Sequence, residues 1–238
     1  MMKTFIVYNE IEADRVHLVK KLQAAFPMHQ IVKAVYPNET HVPFIHSIQA
    51  VSKKRTGRAL SIGEIGCLLS HRKVWREIVK GSGSETEAYM IVESDAIVKE
   101  AGKINDNFKN LHQHYDVFFW GAFEGRTQLF RSSVKKMEGD YQVGIPFIKS
   151  LYCTYGYSIN KKAANYLLKV TGLFDHPVDL WKRNLKNTNL KIGAVKPEII
   201  AADKDIKTNI QNAKTSFLKQ WILYFLVEIK NRIIVYFR

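Results

Sequence analysis

Apolar and polar positions come in short blocks along this chain, and the blocks alternate in kind. KTFIVY, Lys3–Tyr8, is a continuous apolar run that predicts a strand. Over residues 14–26 the apolar side chains Val16, Val19, Leu22 and Phe26 recur at helical spacing and stop at Pro27, which predicts a helix. Residues 30–35 read as a second strand. Ser61 followed by Glu64 makes an S-x-x-E capping box, so a helix is expected from there through Cys67, Leu68, His71, Trp75 and Ile78 to about Lys80, with Gly81 at its end. Residues 89–92 and 117–120 are apolar without interruption and too short for amphipathic helices, the pattern of strands covered on both faces. Strands interleaved with helices predict an α/β fold, a Rossmann-type, mostly parallel sheet flanked by helices.

One of these blocks ends unusually. In AYMIVESDAIV, residues 88–98, a buried-strand pattern runs into Glu93 and Asp95 with only Ser94 between them. If the extended conformation persists through residue 95, both acids point the same way and repel each other unless a cation lies between them. Hard divalent cations take oxygen ligands, often one or two carboxylates together with substrate phosphates. An isolated E-x-D equally serves to solvate a loop. Ligands of parallel sheets gather beyond the carboxyl ends of strands, where these two acids lie, and that position favours function.

Composition narrows the choice. With 238 residues, 46% of them hydrophobic, the chain can bury a full core, and its formal net charge of +14 points to polyanionic partners: nucleic acid, an anionic membrane surface or phosphorylated substrates. Nucleic acid is disfavoured, because no RNP-type aromatic strand, zinc-ligand spacing or basic helix with interleaved aromatics occurs. Cys67 and Cys153 sit in apolar settings without CxxC or Cys/His ligand spacing and read as buried free thiols of a reducing compartment. The start of the chain turns polar too soon for a signal peptide, and GSGSETE, residues 81–87, reads as a surface loop rather than a domain boundary.

Three stretches align with the acid pair. SIGEIGCLLSHRKVW (residues 61–75), IVESDA (91–96), and TYGYSINKKAANYLL (154–168) followed by HPVDLW (176–181) resemble glycosyltransferase family 25, the lipooligosaccharide glycosyltransferases, often β-galactosyltransferases of bacterial cell surfaces. The resemblance spans most of residues 1–205. It implies a GT-A-like fold and transfer of a hexose, galactose from UDP-galactose, onto a lipooligosaccharide or LPS core acceptor, with inversion and with Mn²⁺ or Mg²⁺ as cofactor. Where the family reads E-D-D this chain reads Glu93-Ser94-Asp95, so the middle carboxylate is missing; the alternative is a non-catalytic membrane-associated relative whose metal site has lapsed.

The same resemblance implies roles for particular residues. Glu93 and Asp95 would hold the metal on the donor diphosphate, with Asp95 also counted as catalytic. Asp179 would take the acceptor proton, with Asp175 behind it; a helix start after Pro177 explains Asp179 equally well. Asn9, Arg15, Gly63, Glu64, Ser70, His71 and Gly121 are candidate donor contacts. Several also have a structural reading: Glu64 as the capping-box acid, His71 as a hydrogen-bonder of the core, Gly63 and Gly66 as packing glycines. Tyr152, Tyr155 and Tyr157 are core or a sugar-stacking wall.

The end of the chain is read separately. Residues 1–210 form the transferase domain and residues 211–238 an amphipathic segment. Across 217–238 Leu218, Trp221, Ile222, Phe225, Ile229 and Tyr236 share a helical stripe with Lys219, Lys230 and Asn231 opposite. Spanning a bilayer takes about 20 apolar residues, more than this run offers, so an interfacial helix on an anionic membrane is expected, and with it a peripheral position on the cytoplasmic face of the inner membrane. Docking on the core or in a dimer is the competing reading.

Overall fold

Odd and even positions of the central strands face opposite ways, and each set has its own helical cover. In a computed structural model, which describes residues 2–39, 42–122, 125–203, 230–232 and 234–236, strand β1 (Lys3–Tyr8) pairs in parallel with β2 (His29–Lys33) on one side and β3 (Ala88–Glu93) on the other. Phe5, Val7, Tyr89, Ile91, Val117 and Phe119 bury against the face covered by α3 (Ile62–Lys80) and α5 (Lys161–Val170). Ile6, Met90, Val92 and Phe118 bury against the face covered by α1 (Val16–Ala25) and α4 (Ala101–His112). This is period-two alternation with both faces apolar, which explains why the strands read as unbroken hydrophobic runs.

The sheet continues from β3 through β8 (Gly156–Asn160), β5 (Val117–Phe119), β9 (Ile192–Lys196), β7 (Gln142–Gly144) and β6 (Lys135–Lys136). Only β7 and β8 run against the rest, so the architecture is α/β with a mostly parallel central sheet flanked by helices. A second small ladder pairs β4 (Ala96–Val98) with β10 (Ile200–Ala202).

The expected first strand and the helix from Ser61 occur with their predicted ends. The capping box is complete: Glu64 N donates to Ser61 Oγ and Ser61 N to the Glu64 carboxylate. The helix expected over 14–26 divides into a 3₁₀ turn, Ala13–Arg15, and α1. The second strand is His29–Lys33, ending short of residues 34–35. Helix α2 (Ile45–Thr56) and the short α6 (Trp181–Asn184) complete the set used below.

The proposed tail helix lies outside the described residues except at its end. There, residues 230–232 and 234–236 are helical, Asn231 and Val235 are buried, and the Arg131 guanidinium stacks 4.6 Å from the Tyr236 ring centroid. No described helix is long and apolar enough to cross a membrane.

Candidate functional site

The parallel strands β1, β2 and β3 deliver their carboxyl ends to one edge of the sheet, and antiparallel β8 brings its amino end to the same edge. Beyond that edge lies a cavity of about 1020 Å³, walled by the segments after β1, β2 and β3, by the first three turns of α3, and by residues 153–155 and 177–179. Of the residues singled out from sequence, Arg15, Gly63, Glu64, Ser70, His71, Glu93, Asp95 and Asp179 line it.

Two do not. Asn9 is buried beneath the wall, where its side chain donates to Ala34 O (2.9 Å) and its backbone N–H to Glu12 (3.2 Å). Gly121 lies where the chain leaving β5 crosses the β10 segment: a Cβ there would meet Ile200 O at 2.5 Å, so packing accounts for the glycine. Ser70 lines the cavity but is fully engaged, donating to Gly66 O (2.7 Å) and accepting from Val35 N (2.8 Å), which ties the segment after β2 to α3. Gly66 permits that approach, since a Cβ would meet Val35 O at 2.5 Å.

The acids at the end of β3 are arranged otherwise than simple alternation predicts. The strand ends at Glu93, and Ser94 and Asp95 form a turn before β4. Alternation still sends Glu93 to the α3 face and Ser94 to the α1 face. Ser94 is buried, donating to Glu12 Oε2 (3.0 Å) and accepting from Arg15 Nη1 (3.0 Å). Glu12, which sequence reasoning passed over, is thus a hub: it also accepts from Tyr36 (2.6 Å) and pairs with Arg15 at 2.8 Å.

Glu93 is held from the α3 side. His71 Nε2 lies 2.9 Å from its Oε1, the Cys67 thiol 3.7 Å away, and the Thr154 hydroxyl also donates to it. Trp75 Nε1 donates to the Tyr157 oxygen (2.9 Å), and an indole can only donate, so the Tyr157 hydrogen is left for His71 Nδ1 (2.8 Å). His71 therefore presents Nε2–H to Glu93. Burial pushes the Glu93 carboxyl up, but the His71 hydrogen bond, Thr154 and Arg15 outweigh it and hold the group below its ordinary value.

Asp95 has fewer partners. Its Oδ2 lies 3.3 Å from Arg15 Nη1, while its Oδ1 is buried and has no hydrogen-bond partner among the described residues. Burial first, then the Glu93 charge, push its pKa to about 7 against the pull of Arg15. Asp179 is raised for related reasons: burial, then the charges of Glu93 and Glu64. It is not a helix cap, for α6 begins at Trp181 with Leu180 at its N-cap and no side-chain cap. Glu64 is drawn down instead, burial being outweighed by a two-pronged contact from Arg58 (2.7 and 2.8 Å).

The lining as a whole inverts the charge of the chain. Glu12, Glu64, Glu93, Asp95, Asp179 and Asp203 face the cavity with Arg15 as the arginine or lysine among the described lining residues. Asp203 arrives through the β4–β10 ladder, its N–H donating to Asp95 O (2.9 Å). Asp175, proposed as a reserve base, lies outside the cavity and is consumed by Arg55 (2.7 Å), Arg183 (2.8 Å) and His176. The tyrosines divide: Tyr157 is core, Tyr155 lines the cavity and Tyr152 is exposed.

The family model described as Glycosyltransferase family 25 (LPS biosynthesis protein) matches residues 1–181. Human procollagen galactosyltransferase 2 is 25% identical over 168 residues, 61% of this chain and 25% of its own length, so the chain spans about a quarter of that relative. A crystal structure of mannose-1-phosphate geranyltransferase from Thermus thermophilus aligns over 82% of this chain and 73% of its own, at 10% identity and a TM-score of 0.34.

Proposed function

Because the chain belongs to glycosyltransferase family 25, we propose that its cavity binds a nucleotide-sugar donor through a divalent cation and transfers a hexose to a lipooligosaccharide or LPS acceptor. The observation that carries this reading is the orphaned Asp95 Oδ1 in a cavity whose described lining holds six acids and one arginine. A diphosphate entering alone meets net negative charge at close range; a cation reverses that repulsion. The residues present fit Mn²⁺ or Mg²⁺. Asp95 offers a buried oxygen without a partner, and Glu93 is oriented through Oε1 by His71 and Thr154. The cation would supply charge neutralisation of the leaving diphosphate.

The chain's own groups do the rest. Arg15, fixed by Glu12 and Ser94, holds a positive charge beside Asp95. Asp179, with its raised affinity for protons, accepts the proton of the acceptor hydroxyl at its carboxylate. Galactose from UDP-galactose is the donor we favour, supported by the human relative's name, with inversion following from a base acting opposite the leaving group. Incubating the purified chain with a panel of labelled nucleotide sugars and lipooligosaccharide, with Mn²⁺ or a chelator, tests the reading. Label should reach the acceptor from UDP-galactose only with the cation, and no transfer from any donor would refute it.

We place the enzyme on the cytoplasmic face of the inner membrane, where its net charge of +14 attracts anionic lipid. Flotation with anionic and neutral vesicles checks this: salt-sensitive binding to anionic vesicles supports it, and equal flotation with both refutes an electrostatic anchor.

A further inference from the structure

Three different ligand types for metals converge on one point of the cavity wall. Cys67 Sγ, His71 Nε2 and a Glu93 carboxylate oxygen all lie within 4.8 Å of one another, and all three residues line the cavity. Cys67 and His71 are four residues apart on α3, so one helix face presents both, and β3 brings Glu93 to them from across the sheet. We propose that Cys67, His71 and Glu93 form a second, thiophilic metal site in the cavity wall, selective for Zn²⁺ over Mn²⁺ or Mg²⁺.

The geometry is close to what such an ion needs. Zinc bonds of about 2.3 Å to sulfur and about 2.0 Å to nitrogen or oxygen, at tetrahedral angles, set ligand separations of about 3.3–3.6 Å. The His71–Glu93 and Cys67–Glu93 distances, 2.9 and 3.7 Å, are within a few tenths of an ångström of these separations, while Cys67 Sγ and His71 Nε2, within 4.8 Å of each other, close on the ion as it binds. The outer partner is in place too. Ligating histidines carry a hydrogen bond on the other ring nitrogen, and His71 Nδ1 meets Tyr157 at 2.8 Å.

On binding, the His71 hydrogen moves from Nε2 to Nδ1 and is donated to the Tyr157 oxygen, whose own hydrogen turns away from Nδ1, and the Nε2 lone pair is freed. The Cys67 thiol gives its proton to solvent as the sulfur–metal bond forms, so one proton leaves per ion. Burial and the Glu93 charge hold that thiol protonated when no cation is present, so binding weakens as pH falls. A thiolate and an imidazole favour zinc, whereas the all-carboxylate pair Glu93 and Asp95 favours Mn²⁺ or Mg²⁺. The two sites share Glu93. Zinc therefore withdraws a ligand from the hard cation and inhibits transfer; this consequence rests on the transferase reading, while zinc binding itself does not.

Co²⁺ is the probe, titrated into the full chain without nucleotide. The expected result is a saturable one-equivalent spectrum with tetrahedral visible bands and a thiolate-to-cobalt charge-transfer band, displaced by Zn²⁺. The charge-transfer band should vanish in Cys67→Ser and persist in Cys153→Ser. X-ray absorption of the zinc-loaded wild-type chain needs no variant and should show one sulfur neighbour at about 2.3 Å. Cobalt bound without a charge-transfer band, a band that survives Cys67→Ser, or a zinc shell without sulfur overturns the site. A chain that shows the sulfur-ligated ion but no nucleotide-sugar transfer keeps this site and loses the transferase reading.

Discussion

Asp95 and Asp175 are both buried acids, and their surroundings are opposite. Asp175 is 2% exposed and meets Arg55, Arg183 and His176, so although burial raises its pKa, these partners pull it below its ordinary value. Asp95 shares one arginine with Glu12 and Ser94, leaves one oxygen without a partner among the described residues, and is pushed to about 7. The first arrangement is complete as it stands and ties α2 to the loop that carries Asp179. The second leaves Asp95 with only a shared Arg15 as a positive partner among the described residues. Buried charge normally comes paired, and it is on this half-paired acid that the proposed cation site rests.

The sharpest way to break this contrast is Asp95→Asn. Transfer should drop about 10³-fold, measured as labelled sugar reaching acceptor at limiting Mn²⁺. Asp179→Asn comes next, with turnover down about 10²-fold and nucleotide affinity preserved; an equal loss of affinity would make Asp179 a donor ligand.

Stability should separate the two buried acids in sign. Asp175→Asn should cost about 2 kcal/mol in urea unfolding at pH 7, less than a fully buried pair because Arg55 and Arg183 are partly exposed. The wild-type contribution of Asp175 stands above about pH 4 and disappears as pH falls through its lowered folded value. Asp95 works the other way: its folded pKa of about 7 exceeds the unfolded one, so its ionisation costs stability as pH rises from about 4 to about 7. Without added cation, Asp95→Asn should therefore raise stability by about 1–2 kcal/mol above pH 7 and have little effect near pH 4.

The smallest effect belongs to Ser94→Ala. Its hydroxyl serves Glu12 and Arg15, so about 1 kcal/mol of stability should be lost while the half-saturating Mn²⁺ concentration stays within about twofold. A large change in metal dependence would put residue 94 in the cation site.

The sheet's central strands were legible because both their faces are apolar, and α3 because Ser61 and Glu64 cap it. Helices α2 and α4 were not. In α2 the one buried residue is Ser52, and α4 carries Gly102 and four asparagine or aspartate residues, weak helix formers that only the packing of Ile104, Phe108 and Leu111 offsets. At the site, the position of Glu93 and Asp95 beyond the end of β3, where both line the cavity, was legible, but their placement was not a matter of a continuing strand. A turn at 94–95 places Asp95, and the partners that fix its neighbour, Glu12 and Arg15, lie about 80 residues away in sequence. Cys67 and His71 carried a signal that was passed over, since i and i+4 on a capped helix share a face.

The central claim, that Glu93 and Asp95 take up a diphosphate only through a cation, is tested most directly by titrating UDP into the chain in Mn²⁺ and in chelator, for wild type and Asp95→Asn. The account predicts saturable binding by the wild type in Mn²⁺ alone, and no cation-dependent binding by Asp95→Asn. Equal UDP affinity in chelator and in Mn²⁺, or Mn²⁺-dependent binding that survives Asp95→Asn, would contradict it.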